Sequence, residues 1–162
     1  MPERIAIYPG TFDPFTNCHL DITERASRIF DRIVVTIARN TKKKPVFNLK
    51  ERTNFIADAT KHLPNVLIKS FEGLLVDFAQ NENAVAIIRG LRAISDFEFE
   101  FQMALMNRRL NNDISTVFLM PNEKYTYVNS TIVREVAQFG GNVSTLVTPL
   151  VAEELKIKFD LK

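Results

Sequence analysis

Short apolar runs that alternate with helical patterns along the whole chain set the limits on what it can fold into. Residues 4–9 (RIAIYP), 33–38 (IVVTIA), 66–71, 84–88 and 116–120 read as five buried strands. Between them lies helical spacing. Residues 17–30 place Ile22, Ala26, Ile29 and Phe30 at i, i+4, i+7 and i+8. Asn48 followed three residues on by Glu51 resembles a capping box and starts a helix running to about Leu63. Further helices are expected at 74–80, 95–110 and 130–139, and the tail from about Thr148 reads as helical. Apolar strands alternating with helices imply a parallel sheet covered on both faces. Crossovers in such sheets are right-handed, so the expected fold is α/β: a single doubly wound, Rossmann-like domain over residues 1–162, with a five-stranded parallel sheet and helices on both faces. Ligands in that architecture bind outside the carboxyl ends of the strands.

Composition narrows the class. A formal net charge of +2 is too small for a general nucleic-acid binder. The lone Cys18 excludes an intramolecular disulfide and suits the cytosol. Met1-Pro2-Glu3-Arg4 runs at once into a strand, so no signal peptide is expected. No apolar run reaches the roughly 18 residues of a membrane helix. The Gly-rich P-loop and dinucleotide fingerprints are missing, and His19 and His62 are too far apart to suggest a structural zinc site.

The helix at 95–110 has two apolar stripes. At about 100° per residue, Phe97, Phe101, Ala104 and Leu105 share one face, and Phe99, Met103, Met106 and Leu110 share a roughly opposite one. One stripe is expected on the sheet. The other needs a second cover, either another layer of the monomer or a second copy of the chain.

The unusual polar residues follow the strands. Gly10-Thr11-Phe12-Asp13-Pro14 and Thr16-Asn17-Cys18-His19 follow the first, Lys42-Lys43-Lys44 the second, Glu72-Gly73 the third and Arg89-Gly90-Leu91-Arg92 the fourth. Pro121-Asn122-Glu123-Lys124-Tyr125 follows the fifth, with Ser130-Thr131 opening a helix. Lysine, arginine, histidine, hydroxyls and helix N-termini gathered at one rim suit a polyphosphate. Gly10 allows close backbone approach to a ligand, and His19 in a first helical turn can face an anion together with the helix N–H groups. Arg89 at the mouth of a buried strand needs an anionic partner, which is either a ligand or a carboxylate such as Asp96 or Glu100.

Tyr8-Pro-Gly-Thr-Phe-Asp-Pro14 with Thr16-x-x-His19, and Asn129-Ser-Thr-x-x-Arg134, resemble the two signatures of the nucleotidyltransferase superfamily with its Thr/His-x-Gly-His motif. Ile88-Arg-Gly-Leu-Arg-Ala93, Asp96-Phe-Glu98 and Phe118-Leu-Met-Pro121 are similar to the bacterial phosphopantetheine adenylyltransferases within it, and the likeness spans residues 3–155. The resemblance implies transfer of AMP from ATP to 4′-phosphopantetheine, giving dephospho-CoA and pyrophosphate in coenzyme A biosynthesis. It implies direct in-line attack by the acceptor phosphate, Mg2+ held mainly by substrate phosphates, feedback by coenzyme A, a cytoplasmic setting and a homohexamer. It makes His19 the transition-state stabiliser and places Lys43 on the acceptor phosphate, with Thr11, Leu75 and Arg89 on the same substrate. ATP would meet Thr11, Phe12, His19, Gly90, Leu91, Arg92, Glu100 and the stretch Tyr125, Thr126, Tyr127, Val128, Asn129, Ser130 and Thr131.

The chain departs from the family pattern at Cys18, where glycine is usual, at Phe99 for tyrosine and at Asn129 for serine. Cysteine at 18 would be costly if that backbone needed positive φ. Its thiol, beside a helix N-terminus and His19, would be a redox-sensitive site if its pKa were lowered, and otherwise a tolerated substitution. Two other readings are transfer to nicotinate mononucleotide or a small phosphoalcohol, and a catalytically inactive nucleotide-binding regulator.

Overall fold

The computed structural model describes residues 1–40, 42 and 44–161. The strands are β1 (Ile5–Gly10), β2 (Arg32–Ala38), β3 (Val66–Phe71), β4 (Ala84–Gly90) and β5 (Ser115–Leu119). The helices are α1 (Asn17–Ile29), α2 (Leu49–Thr60), α3 (Leu75–Asn81), α4 (Ile94–Leu110), α5 (Ser130–Gln138) and α6 (Pro149–Lys158), with a 3-10 turn at Glu123–Tyr125. All strand pairs are parallel, in the order β3-β2-β1-β4-β5. The order reverses at β1, so the first and fourth strands lie side by side and the loops after them diverge. A crevice opens there, at the topological switch point. This is the doubly wound α/β fold expected from the sequence. No helix among the described residues is long and apolar enough to cross a membrane.

Alternation along the strands divides the core. Ala6, Tyr8, Ile33, Val35, Ile37, Ala86 and Ile88 point to the larger core with residues of α1, α2, α5 and α6. Ile5, Ile7, Val34 and Ile87 point to a smaller core under Val76 and Ala79 of α3. Helix α2 starts at its cap. Asn48 accepts from Glu51 N–H at 2.9 Å and Glu51 accepts from Asn48 N–H at 2.7 Å, which makes the expected box. The helix ends at Thr60, earlier than the sequence reading, and a turn fills the space before β3.

Helix α4 corrects the expectation for the region. Neither apolar stripe packs fully on the sheet: Phe97, Phe101 and Leu105 are exposed along with Phe99, Met103, Met106 and Leu110. The buried residue of the helix among its described side chains is Glu100, with Ala104 and Asn107 half-buried on the same side. The helix thus meets the body along a narrow polar strip. Its apolar residues point elsewhere.

The loop from β1 to α1 is held by buried polar contacts. The Asp13 carboxylate accepts from Val46 N–H and Phe47 N–H, each at 2.9 Å. Arg52, 5 % exposed on the inner face of α2, donates to the Thr11 carbonyl at 2.8 Å. Arg134 of α5 donates to the Asp13 carbonyl and Ser130 Oγ donates to the Pro14 carbonyl at 2.8 Å. Asp13→Ala would leave two backbone donors unpaired, one of them buried, and should cost on the order of 2–4 kcal/mol in urea unfolding. Asp13→Asn keeps one acceptor oxygen and should lose less; equal stability of the alanine variant and the parent would refute the role given to the carboxylate.

Candidate active site

The crevice at the switch point is a cavity of about 540 Å³, within the usual range for small-molecule sites. Its floor is the carboxyl end of β1 and β4, and its walls are the starts of α1 and α5. Of the residues singled out from the sequence, Thr11, Phe12, His19, Arg89, Gly90, Arg92, Glu100, Asn129, Ser130 and Thr131 line it. The fold brings them together from four separate stretches of chain.

His19 lies at N3 of α1, and its imidazole completes the cap of its own helix. Thr16 N–H donates to His19 Nδ1 at 3.0 Å, and His19 N–H donates to Thr16 Oγ1 at 3.4 Å. Because Nδ1 accepts a backbone N–H, a neutral ring must carry its proton on Nε2. Burial, followed by the neighbouring Arg92 and Arg89 charges, pushes the His19 pKa down to about 3. The unliganded site therefore presents a neutral imidazole whose Nε2–H is a donor. Phe12 and Phe15 pack around the ring, with centroids at 5.0 Å and 5.5 Å.

Gly10 lines the cavity and has a further role. A Cβ there would lie 2.8 Å from Phe12 Cζ, so the missing side chain also makes room for the Phe12 ring. Phe12 itself takes φ 50°, a left-handed conformation rare for bulky residues. The turn aims the ring back over β1.

Arg89 already has a carboxylate partner. Its Nε and Nη2 donate to the two oxygens of Glu100 at 2.8 Å and 2.7 Å, a bidentate pair. Glu100, rather than Asp96, fills the structural alternative raised by the sequence. The Arg89 pKa is raised: burial works against the charge, and the Glu100 carboxylate outweighs it. Arg92 donates to the Val128 carbonyl at 3.2 Å and to Asp96 at 3.3 Å. Lys44 and Arg134 complete the cationic lining.

The start of α5 offers backbone donors. Asn129 Oδ1 caps the helix through Ile132 N–H at 2.8 Å, so the serine-to-asparagine departure keeps a capping side chain. The Ser130 hydroxyl is committed to Pro14, which leaves the Ser130 and Thr131 N–H groups to face the cavity with the positive end of the helix.

Other assigned residues lie elsewhere. Leu75 packs against the smaller core. Leu91 N–H donates to the Leu119 carbonyl at 3.0 Å, joining the ends of β4 and β5. Val128 is buried in the larger core, Tyr125 packs against it, Tyr127 is exposed and Thr126 Oγ1 donates to Glu123 O at 2.9 Å. Lys43 lies outside the described residues.

Cys18 stands in α1 without positive φ, so no backbone penalty attaches to it. Its thiol is buried, and burial pushes its pKa up to about 11 against the opposing pull of Arg92. Of the two readings of Cys18, the tolerated substitution is the one the structure supports: desolvation outweighs the pull of Arg92, and the thiol stays protonated in the cavity wall.

Sequence reasoning missed Arg52 and Asp13 as organisers of the loop. Arg52 carried a signal: it falls at i−3 and i−4 from Phe55 and Ile56, an arginine on an apolar stripe. Asp13 lies within the first signature motif, which does not reveal its structural part. Its partners, 33 and 34 residues away, are visible only in three dimensions.

Comparison with known proteins places the chain. The cytidylyltransferase-like family model matches residues 7–136. A phosphopantetheine adenylyltransferase of Thermodesulfovibrio yellowstonii is 53% identical over 157 residues, 96% of this chain and 98% of that one. One of Caldanaerobacter subterraneus subsp. tengcongensis is 50% identical over 156 residues, with 96% and 98% covered. Among solved structures, a nicotinic acid mononucleotide adenylyltransferase of Plasmodium falciparum complexed with NaAD superimposes with a TM-score of 0.73 at 16% identity, covering 99% of this chain and 97% of that one. At that identity the structural likeness speaks for the fold alone.

The depressed His19 pKa fixes a pH dependence. The unfolded chain binds a proton at an ordinary pKa near 6.5 and the folded chain only near 3, so the unfolded state holds more protons between them. Stability from this group is complete above about pH 6.5 and is lost as pH falls toward 3. The unliganded protein should melt at lower temperature at pH 5 than at pH 7, and His19→Asn should flatten that slope. Nitrogen-detected NMR at pH 6 should show a neutral ring protonated at Nε2; a doubly protonated ring would overturn the assignment.

Proposed function

The chain belongs to the phosphopantetheine adenylyltransferases within the cytidylyltransferase-like family, and we propose that its cavity holds ATP and 4′-phosphopantetheine side by side for direct transfer. The reaction moves AMP from ATP to 4′-phosphopantetheine and yields dephospho-CoA and pyrophosphate, a step of coenzyme A biosynthesis. An oxygen of the acceptor phosphate forms the new bond to the α-phosphorus as the bond to the β-bridging oxygen breaks. A phosphate dianion is already a nucleophile, so the protein need not supply a base. Its work is to hold two anions in line and to offset charge developing on the α-phosphate and the departing pyrophosphate.

The observation that carries this reading is the cavity, where a neutral His19 donor and the N-terminus of α5 meet between Arg92, Lys44 and Arg134. His19 Nε2–H donates to the α-phosphate, where the oxygen gains charge in the transition state. Ser130 and Thr131 N–H groups receive the phosphates that leave. Thr11 touches both substrates, and Arg89 holds the acceptor while keeping Glu100 as its counter-ion. Lys43 on the acceptor phosphate, and Leu75, Leu91 and the residues 125–128 beside the substrates, rest on family resemblance.

Mg2+ would be held by the phosphates of ATP and would offset their negative charge. The acidic groups of the cavity are engaged, Asp13 by backbone N–H groups and Glu100 by Arg89, so the fitting ligands are the substrate's own oxygens. Coenzyme A shares the acceptor's pantetheine arm and the product's nucleotide, which suits it to compete as a feedback inhibitor. A cytosolic setting agrees with the lone, buried, unpaired Cys18.

We also propose a homo-oligomer, a hexamer by family resemblance, with α4 in the contact. Phe97, Phe99, Phe101, Met103, Leu105, Met106 and Leu110 are all exposed on this one helix, more apolar surface than a monomer ordinarily leaves in water. The leading alternative acceptor is nicotinate mononucleotide. The curated relatives at half identity and nearly full coverage favour 4′-phosphopantetheine.

Pyrophosphate release from ATP, Mg2+ and either acceptor tests the reading. Turnover is expected with 4′-phosphopantetheine and not with nicotinate mononucleotide. His19→Ala should lose roughly 100- to 1000-fold in kcat while calorimetry finds ATP affinity within a few-fold of the parent; equal turnover would end the role of the imidazole. By sedimentation at micromolar concentration the parent should run as an assembly, and Phe99→Glu with Leu105→Glu should shift it toward monomer. A monomeric parent would defeat the oligomer.

A further inference from the structure

Tyr8 lines the cavity, and the reaction scheme above makes no use of its hydroxyl. It occupies β1 between β2 and β4, and its side chain belongs to the larger core, with the residue only 5 % exposed. The ring is fixed edge-on against Phe12, with centroids 5.4 Å apart. It also lines the cavity, and Oη comes within 3.9 Å of where a Cβ on Gly90 would stand. No hydrogen bond joins this hydroxyl to any described residue, although Arg89, Arg92, Glu100 and His19 all surround it. Nor is Oη sealed away: the sealed, unpaired side-chain oxygen among the described residues is Thr148 Oγ1. An otherwise buried tyrosine thus ends in a free O–H that opens onto the cavity.

The surroundings say what would satisfy it. Arg89 and Arg92 are donors only and cannot accept from the hydroxyl, and both Glu100 oxygens already accept from Arg89. Burial, the largest influence, raises the phenol's pKa far above its ordinary value, so the group stays a neutral donor at any working pH. A neutral donor that shares a cavity with Arg89, Arg92, Lys44 and Arg134 suits an acceptor oxygen that bears negative charge.

We propose that the Tyr8 hydroxyl donates a hydrogen bond to a phosphoryl oxygen of a bound substrate, beside His19. This rests on the adenylyl-transfer reading above. It adds Tyr8 to the residues that position the reacting phosphates. The strand and the Phe12 contact hold the donor in place before the ligand arrives, so little ordering is needed on binding.

Tyr8→Phe removes the oxygen and keeps the ring. ATP and 4′-phosphopantetheine are titrated separately by calorimetry into the parent and the variant, and kcat/KM is measured for each. The expected result is a roughly tenfold or greater loss for the substrate that supplies the oxygen, with the melting temperature of the unliganded variant unchanged. The substrate whose affinity falls identifies the phosphate. Affinities and kcat/KM within twofold of the parent for both substrates would overturn the inference. So would a lower melting temperature of the unliganded variant, since it would show that the hydroxyl has a partner in the protein. A parent that binds neither substrate would instead bring down the adenylyl-transfer reading, and this inference with it.

Discussion

The whole site depends on one short loop being held still from below. Residues 11–16 connect the central strand to the helix that carries His19, and a free loop of that length would sample many conformations. Four contacts from distant parts of the chain remove that freedom: Arg52 on Thr11 O, Arg134 on Asp13 O, Ser130 on Pro14 O, and the Asp13 carboxylate on the backbone before α2. Three of the four use main-chain carbonyls as acceptors. The contacts therefore set backbone position and leave the cavity-facing atoms of Thr11 and His19 free for substrate. The same helix N-terminus that faces the cavity is tied at its outer side, where Asn17 N–H donates to the Leu146 carbonyl at 2.8 Å.

Electrostatics in the cavity is balanced against a charged His19. Arg89 and Arg92 make an anion welcome, and for the same reason they make an imidazolium unwelcome. An arriving polyphosphate reverses the sign of that field. The ring can then donate through Nε2 with no prior proton uptake, because Thr16 N–H has already selected the tautomer. Glu100 moderates the same field from the other side. By pairing with Arg89 it keeps a half-buried guanidinium from standing uncompensated before substrate enters, at the cost of some of its attraction for phosphate.

Much of this was legible in the sequence, and the reasons for the rest are physical. Strand β3 has the boundaries read from its apolar run, and the Asn48–Glu51 cap marked the start of α2, because both signals are local. The gathering of His19, Arg89, Arg92 and the start of α5 followed from topology, since every strand delivers its loop to one rim. What escaped were contacts across the fold. Nothing near Asp13 in sequence shows that its carboxylate will serve Val46 and Phe47. Cys18 kept two readings in the sequence because helix N-terminus and burial act on a thiol in opposite directions, and only the fold shows that burial wins. Gly10 was legible as a cavity residue, but its second role, making room for an aromatic ring two residues on, was not.

Helix α4 shows how a misread periodicity can still carry information. Its apolar residues do lie on two stripes, yet the side turned to the body is the polar one between them, led by Glu100. A helix docked through an ion pair and one small residue, Ala104, gains little from apolar burial against its own sheet. It gains specificity of placement instead: the Arg89–Glu100 geometry is bidentate, so the helix has one rotation about its axis that satisfies it. That rotation determines which residues face outward, and those are Phe97, Phe99, Phe101 and their neighbours. The salt bridge in the cavity wall therefore also sets the rotation of α4 and, with it, the exposed apolar surface.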